Sequence, residues 1–347
     1  MGMPDYELKT PTMDDFSYRP GIYQNDVDGN AILTIFSNYG ILFPEGDTEN
    51  PLFYFRHLNV DSVRWAGIIK LGKGFDAPQI SAHHRDIAQA GDRVNPYGKL
   101  SEKPLVYGMR GIDKPFEIAY HEDGSVTWKE GENGSILNVK CTPFPYALFT
   151  HKTSIMRAPI WLQTAMSVEG TYEGKPVVGL GCHDRTFIAE NATQDSLWAA
   201  GCTIYCCANY SGIREDGRKE SFFAQLDVAN KEKGIVFYYL EGEEPIVTDK
   251  VTLETEWHHL PYAPNDPTCV YKDATWRFAD KEIHFHAKWG AKGFTEKPRM
   301  EKLGYSHCFG EWYEGKTPYK HIYENTFTEN MEAIDKRIKE AGYVVHD

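Results

Sequence analysis

The chain lacks the signals that would place it in a membrane, on a secretory route or in a disulfide-stapled class. No run of about 18 apolar residues is present, so no membrane span is predicted. Met1–Asp15 carries four acidic side chains and no apolar segment, so no signal peptide is expected. The seven cysteines, an odd number without a framework spacing, favour reduced thiols and a cytoplasmic location.

Positive charge and cofactor motifs are also scarce. The 37 Lys and Arg against 50 Asp and Glu give a formal net charge of -13, without the basic footprint that a nucleic-acid partner requires. The sequence contains no Gly-x-Ser-x-Gly elbow, no phosphate-binding loop and no dinucleotide fingerprint before a helix. These absences argue against a serine hydrolase, and we expect no cofactor and no nucleic-acid partner.

Helical periodicity is confined to one segment near the C-terminus. Over residues 328–341, Met331, Ile334 and Ile338 recur at helical spacing, and Gly342 is suited to end the helix. Elsewhere the pattern is strand and turn, and the aromatic content of 14% also favours strands. Asp123-Gly124 inside Phe116–Trp128 is a strong hairpin signal.

This spacing of strands predicts an all-β chain of two antiparallel barrel or sandwich units followed by the C-terminal helix. We place the boundary in a polar stretch, which gives one unit over residues 1–190 and a second over residues 191–347. Residues 74–95 are polar and are predicted to form an irregular lid loop.

A short repeat supports two related units. Tyr172-Glu173-Gly174-Lys175-Pro176 returns, with one residue inserted, as Tyr313-Glu314-Gly315-Lys316-Thr317-Pro318. Each copy is typical of a strand, a tight turn and a second strand. If the repeat reflects duplication, each unit is closed by a corresponding hairpin, and a site is expected inside one unit or in the crevice between them.

The first copy lies in a longer motif, Glu-Gly-x-Tyr-x-Gly-Lys-Pro-Val-x-Gly, over 169–179. With the related stretch 304–316, this chain resembles the AttH-like and carotenoid 1,2-hydratase-like group of two-domain calycins. It departs from the pattern of that group at Gly181-Cys182-His183-Asp184, where a Gly-Tyr-x-Glu ending is expected. That resemblance implies a lipocalin-like fold for both units and a cavity for an apolar ligand. It also implies a hydratase, cyclase or other lyase or isomerase that needs no cofactor.

The residues around the first copy supply the candidate acid–base groups. Glu169, His183 and Asp184 are the predicted catalytic residues. A carboxylic acid among aromatic rings has a raised pKa and can protonate an alkene or a carbonyl, while a nearby His or Tyr accepts a proton. Aromatic rings would stabilise a developing carbocation. The resemblance implies a terpenoid, steroid or polyketide-like substrate.

The two repeat regions also supply the predicted substrate-binding residues. These are Trp161, Gln163, Tyr172, Tyr305, His307 and Glu311. Residues around the second copy carry less weight, because one copy of a duplicated unit often becomes structural.

Three alternatives stay open at this point. A carrier would bind an apolar molecule without a convergent acid, and a homodimer is compatible with the composition. His284 and His286 share one face of a predicted strand, and this spacing can chelate a metal, although two ligands do not make a closed site. No metal is therefore assigned.

Overall fold

The structure is a computed structural model of the whole chain. It describes residues 5–11, 31–59, 63–77, 80–86, 95–96, 104–109, 115–151, 160–189, 205–227, 234–259, 269–289, 306–314, 317–320, 323–327, 336 and 339–346. These residues form two large β-sheets, one from each half of the sequence.

The first sheet is a twelve-stranded antiparallel array with the order β5-β4-β3-β2-β12-β11-β10-β9-β8-β7-β6, and β1 pairs with β10. Its strands are β1 Asp5–Lys9, β2 Ala31–Pro44, β3 Leu52–Asn59, β4 Val63–Lys70, β5 Ile80–Asp86, β6 Asn95–Pro96, β7 Leu105–Met109, β8 Phe116–Tyr120, β9 Val126–Glu130, β10 Leu137–His151, β11 Ile160–Tyr172 and β12 Lys175–Ala189.

The second sheet has eleven strands in the order β16-β15-β14-β13-β22-β20-β19-β18-β17-β23, and β21 pairs with β20. Only its β17–β23 pair is parallel among the described strands. Its strands are β13 Tyr205–Ile213, β14 Lys219–Asp227, β15 Gly234–Leu240, β16 Ile246–Thr248, β17 Val251–His259, β18 Cys269–Phe278, β19 Lys281–Trp289, β20 Ser306–Glu314, β21 Thr317–Lys320, β22 Tyr323–Phe327 and β23 Val344–His346.

Each sheet curls until strands that are far apart in its order touch. Four strands separate β3 from β9, yet the rings of Tyr54 and Trp128 lie 5.0 Å apart between centroids. In the second sheet, five strands separate β15 from β18, and the rings of Tyr238 and Phe278 are 5.7 Å apart. One face of each sheet is therefore enclosed, and the prediction of an all-β antiparallel fold is confirmed.

The two sheets share a connectivity. In the first, the long strand β2 pairs with the last strand, β12, and in the second β13 pairs with the late strand β22. The first repeat copy turns between β11 and β12, where Glu173 and Gly174 both have positive φ, at 49° and 76°. This is the geometry of a type I′ hairpin turn.

The second repeat copy turns between β20 and β21, where Glu314 pairs with Thr317. Residues 315 and 316 of this copy lie outside the described residues. Both copies are hairpins, as expected, while their common origin and the two-domain division at residue 190 stay predictions.

The faces of the two sheets that are not enclosed pack against each other. We call this contact the inter-sheet core; among its members are Tyr39, Ile41, Phe43, Phe53, Phe55, Cys182, Phe223, Phe237, Trp289 and Phe309. The rings of Phe53 and Phe309 lie 4.8 Å apart, and those of Phe43 and Trp289 lie 5.9 Å apart. Consequently residues 38–43 of β2, 52–56 of β3 and 180–183 of β12 are buried on both faces.

Two local predictions meet the structure differently. The prediction of a lid loop is wrong over part of its length, because Ile80–Asp86 forms β5 and pairs with β4. This edge strand is defined by its hydrogen bonds to β4 and not by an apolar alternation.

The C-terminal helix falls mostly outside the described residues. Its described members Lys336, Lys339 and Glu340 are helical, and Gly342 follows with a φ of 81°. In the described part of the chain, no helix has the length and apolarity to cross a membrane.

The buried cysteines of the two sheets give a testable property of the fold. Cys141, Cys182 and Cys308 are buried thiols, and burial raises the pKa of Cys141 to about 12 and that of Cys308 further still. At about pH 8, a thiol with a pKa near 12 is thiolate in roughly one molecule in ten thousand. Cys141 and Cys308 should therefore resist iodoacetamide in the native protein and react in urea, as peptide mass spectrometry would show. Rapid native labelling would contradict the burial.

Candidate functional site

Four polar side chains lie in one line across the enclosed face of the first sheet. Adjacent strands β3, β2, β12 and β11 bring them into register as direct cross-strand partners, and direct partners point to the same face. We call this line the polar row; its members, with exposed fractions of 1%, 2%, 0% and 0%, are Arg56, Asn38, His183 and Thr164. Buried polar groups in such a line require partners, which makes the row the strongest candidate site.

The imidazole of His183 is held in one orientation. Its Nδ1 lies 2.8 Å from Asn38 Oδ1, and the amide of Asn38 donates through Nδ2 to the hydroxyl of Tyr120 at 3.4 Å. Because the amide oxygen only accepts, Nδ1 carries the proton in the neutral ring. The basic lone pair of neutral His183 is then on Nε2.

Tyr120 covers the row from the far side of the curled sheet. It comes from β8, is fully buried, and its ring lies 5.4 Å from the His183 ring at an interplanar angle of 63°. Three strands separate β8 from β12, so this contact depends on the curl. This edge-to-face contact packs the Tyr120 ring against the imidazole.

Arg56 is fixed by a bidentate ion pair. Its Nε donates to Glu130 Oε1 at 2.7 Å and its Nη2 donates to Oε2 at 2.5 Å. Glu130 Oε1 also accepts from the indole nitrogen of Trp128 at 2.6 Å, and Arg56 Cζ lies 3.7 Å from the centroid of the Phe116 ring. The guanidinium therefore has one rigid position, as fork geometry favours.

Arg56 Nη1 and Thr164 Oγ1 are buried in the row without a hydrogen-bond partner in the described part of the chain. Buried donors without acceptors are rare in folded proteins and point to a binding role or to an ordered water.

Two positions further along the same strands, a tyrosine and two glycines pack beside the polar row. Tyr54, Gly40 and Gly181 are cross-strand neighbours there. A Cβ on Gly181 would lie 2.5 Å from the Tyr54 hydroxyl, so glycine lets the phenol ring lie close over the strands. Burial raises the pKa of Tyr54 well above its usual value, which keeps this phenol neutral.

Two of the predicted catalytic residues, Glu169 and His183, lie apart. His183 is in the polar row, but Glu169 is exposed on β11, five positions from Thr164, the partner of His183. Five residues of strand span about 17 Å, and an odd offset places Glu169 on the opposite face. Asp184 follows His183 on β12, and its side chain lies outside the described structure. The catalytic roles of Glu169 and Asp184 stay predictions.

The predicted substrate-binding residues that the structure describes lie in different places. Tyr172 is buried at the end of β11, where burial raises its pKa to about 12. Glu311 is half-buried, and its Oε1 accepts from Lys288 at 2.7 Å, in a cluster that also includes Glu49. This cluster joins the two sheets. Tyr305 and the side chains of Trp161 and His307 lie outside the described structure.

Gln163 faces the second sheet rather than the polar row. Its Nε2 donates to the Tyr39 hydroxyl at 3.3 Å, and the same hydroxyl accepts from Asn209 at 3.5 Å. Gln163 and Asn209, with Ser211 and Ser221, line a cavity of about 20 Å³. A cavity of that size holds about one water molecule. An organic substrate would require this cavity to open.

The histidine pair on β19 is engaged by neighbouring side chains. His284 lies 3.0 Å from Glu282 Oε1 and 3.0 Å from Thr275 Oγ1, while His286 Nδ1 lies 2.5 Å from Asp273 Oδ1. No group of three or more His, Cys, Asp or Glu that could hold a metal occurs among the described residues. The pair is part of a network of polar side chains along this strand.

Five members of the site were missed by sequence reasoning. One signal was available, because Asn38 interrupts an apolar strand, and an interior polar residue in such a strand marks a specific contact. The other four are brought to the site by pairing between strands that are distant in sequence. The five missed residues are Asn38, Arg56, Tyr120, Glu130 and Thr164.

No protein-family model and no curated protein matches the chain. Solved structures with a similar course of the backbone include an AttH protein from Nitrosomonas europaea, with a TM-score of 0.49 and 10% identity over 86% of this chain and 93% of that one. CghA, solved with Sch210972, has a TM-score of 0.46 and 11% identity over 94% and 99% of the two chains. Kievitone hydratase from Nectria haematococca has a TM-score of 0.47 and 8% identity over 93% and 97%. At these identities the likeness concerns fold only and gives no residue a role.

Proposed function

We propose that this protein is a cofactor-independent lyase or isomerase that transfers protons on an apolar, partly oxygenated substrate, with His183 as the general acid–base. The observation that carries the proposal is the setting of His183. It is fully buried, its Nδ1 is bonded to Asn38, and its ring lies against Tyr120 on the enclosed face of the first sheet. Nucleotide motifs are absent from the sequence, which favours chemistry by side chains alone.

The proposed step begins with neutral His183. Nε2 removes a proton from a carbon next to a carbonyl, and the C–H electron pair forms an enolate. The imidazolium is stabilised by Asn38 Oδ1, which accepts a hydrogen bond from Nδ1. Returning this proton to a β-hydroxyl expels water and leaves an alkene, and the reverse sequence hydrates the alkene. Returning it to another carbon gives an isomerase instead.

This mechanism reassigns the acid. A buried carboxylic acid was the expected proton donor, but the carboxylate bonded at the polar row is Glu130, which is engaged by Arg56 and Trp128. A carboxylate that accepts charge-assisted hydrogen bonds is a poor general acid. Histidine titrates near neutral pH and can both accept and return the proton.

The same observation favours a second candidate, a carrier that binds an apolar molecule without changing it. Because Glu130 is bonded to Arg56 and Trp128, it cannot act as an acid, and in a carrier the polar row would only orient the ligand. Binding and turnover measurements separate the two candidates. A cytoplasmic location and a homodimer stay predictions for either one.

The test begins with the molecule that co-purifies with the protein, identified by native mass spectrometry and extraction. Incubated with the protein in D2O, it should exchange carbon-bound hydrogen or interconvert with a species 18 Da lighter or heavier. His183→Gln should reduce this rate by about 100-fold or more, as loss of a general base does.

His346→Gln is the matched control, because His346 is exposed and pairs with Glu256 at the edge of the second sheet. Its rate should equal that of the wild type. Full activity in His183→Gln would refute the assignment of His183. A bound molecule that the wild type leaves unchanged would establish the carrier.

A further inference from the structure

We infer that Arg56 anchors a neutral oxygen of the ligand, a ketone carbonyl or a hydroxyl, and that the site discriminates against carboxylates. This deepens the proposed function, on which it rests, by naming the chemical class of ligand for the same enclosed face. The inference depends on the geometry of Arg56 and on the charges around it.

The direction of the donor is set by the contacts of the guanidinium. Nε and Nη2 are occupied by the two oxygens of Glu130, and the flat face lies on the Phe116 ring. Nη1 has no hydrogen-bond acceptor in the part of the chain that the structure describes, although Arg56 is only 1% exposed. Both protons on this nitrogen can therefore be donated to an oxygen of a bound molecule.

The charge of that oxygen follows from the ion pair. The positive charge of Arg56 is neutralised by the negative charge of Glu130. The other members of the polar row, Asn38, His183 and Thr164, carry no fixed charge. A ligand carboxylate would add a buried negative charge without a counterion, which is strongly unfavourable. A carbonyl or hydroxyl oxygen needs only the hydrogen bond.

The positions of Arg56 and His183 limit the shape of the ligand. Arg56 and His183 are on strands separated by β2, so their backbones are about 10 Å apart at the usual strand spacing. A ligand that contacts both would be a flat, elongated skeleton with its oxygen at the Arg56 end. The surroundings of the row are aromatic, because Phe116 lies against Arg56 and Tyr54 packs against Trp128.

Two matched fluorescent probes test the inference: 6-propionyl-2-(dimethylamino)naphthalene, a ketone, and 6-(dimethylamino)-2-naphthoic acid, its carboxylate counterpart. At about pH 8, where an ordinary imidazole is neutral, the wild type should bind the ketone about 100-fold more tightly than the carboxylate. Equal binding of the two probes, tighter binding of the carboxylate, or no binding of the ketone would overturn the inference.

The second part of the test removes the negative charge of Glu130 and measures binding of the same two probes. Glu130→Gln leaves the positive charge of Arg56 uncompensated, so selectivity should move toward the carboxylate by about 10-fold or more. Glu254→Gln, at the exposed pair with Arg277, is the matched control and should leave selectivity unchanged. Unchanged selectivity in a folded Glu130→Gln protein would overturn the inference. Circular dichroism checks folding, and if this variant does not fold, the wild-type comparison alone decides.

The readout separates this inference from the proposed function. His183→Gln should keep the preference for the ketone while losing turnover. Full turnover in that variant together with the ketone preference would remove the proposed function and leave the Arg56 assignment intact. Loss of turnover without any ketone preference would remove the Arg56 assignment and leave the proposed function intact.

Discussion

Replacing Glu130 with alanine is expected to lower the free energy of unfolding by about 3–5 kcal/mol, because it strands a buried guanidinium without its counterion. Arg56 is 1% exposed and Glu130 13% exposed, so water can do little to replace the lost carboxylate. The loss includes two charge-assisted hydrogen bonds and the acceptor of the Trp128 indole. Urea denaturation followed by tryptophan fluorescence and circular dichroism would measure it.

The double variant Arg56→Met/Glu130→Leu should recover much of the stability, because removing both charges also removes the cost of burying them. The matched control is the exposed pair Arg277 and Glu254, with side chains 44% and 74% exposed. There, Glu254→Ala should cause a much smaller change, since solvent screens exposed pairs. Equal losses at the two sites would show that the Arg56 pair is not isolated from water.

Replacing Gly40 with alanine is the second change with a large expected effect. A Cβ at this position would lie 2.1 Å from the Leu180 carbonyl oxygen and 2.6 Å from Gly181 Cα, both backbone atoms of the paired strand. Backbone cannot rotate away as a side chain can, so β2 and β12 must separate locally. We expect a loss of about 3 kcal/mol or more, at the upper end of overpacking effects.

The same substitution should disturb the site, because the pairing of β2 with β12 sets the contact between Asn38 and His183 two positions away. The imidazole NMR signal of His183 should therefore shift or broaden. Gly242→Ala is the control, since Gly242 has a φ of 87° but a Cβ added there would meet nothing within 4 Å. It should cost about 1 kcal/mol from backbone strain alone. If Gly40→Ala costs no more than that, the close approach of β2 and β12 is wrong.

Local features of the fold could be predicted from the sequence because short segments determine them. Asp123-Gly124 marks the β8–β9 hairpin, and Glu173-Gly174 supplies the two positive φ angles of the β11–β12 turn. Such turns depend on a few neighbouring residues. Strand content follows in the same way from aromatic and β-branched residues.

The polar row could not be predicted, because its register joins residues far apart in sequence. Asn38 and His183 are partners across 145 positions, and a slip by one residue would turn either side chain to the inter-sheet core. Glu169 drew attention through its place in the repeat, but the strand alternation turns it to the exposed face. Arg56 has no sequence signal of its own, because its partner Glu130 comes from a strand on the far side of the curled sheet.

The double burial of β2, β3 and β12 has a mechanical consequence for the site. Tyr39 and Phe55, neighbours of Asn38 and Arg56 in sequence, are anchored in the opposite layer, together with Cys182 beside His183. The second half of the chain thus packs against, and supports, the strands whose other face carries the polar row. Substitutions made where the two halves meet can therefore shift the polar row without replacing any of its members.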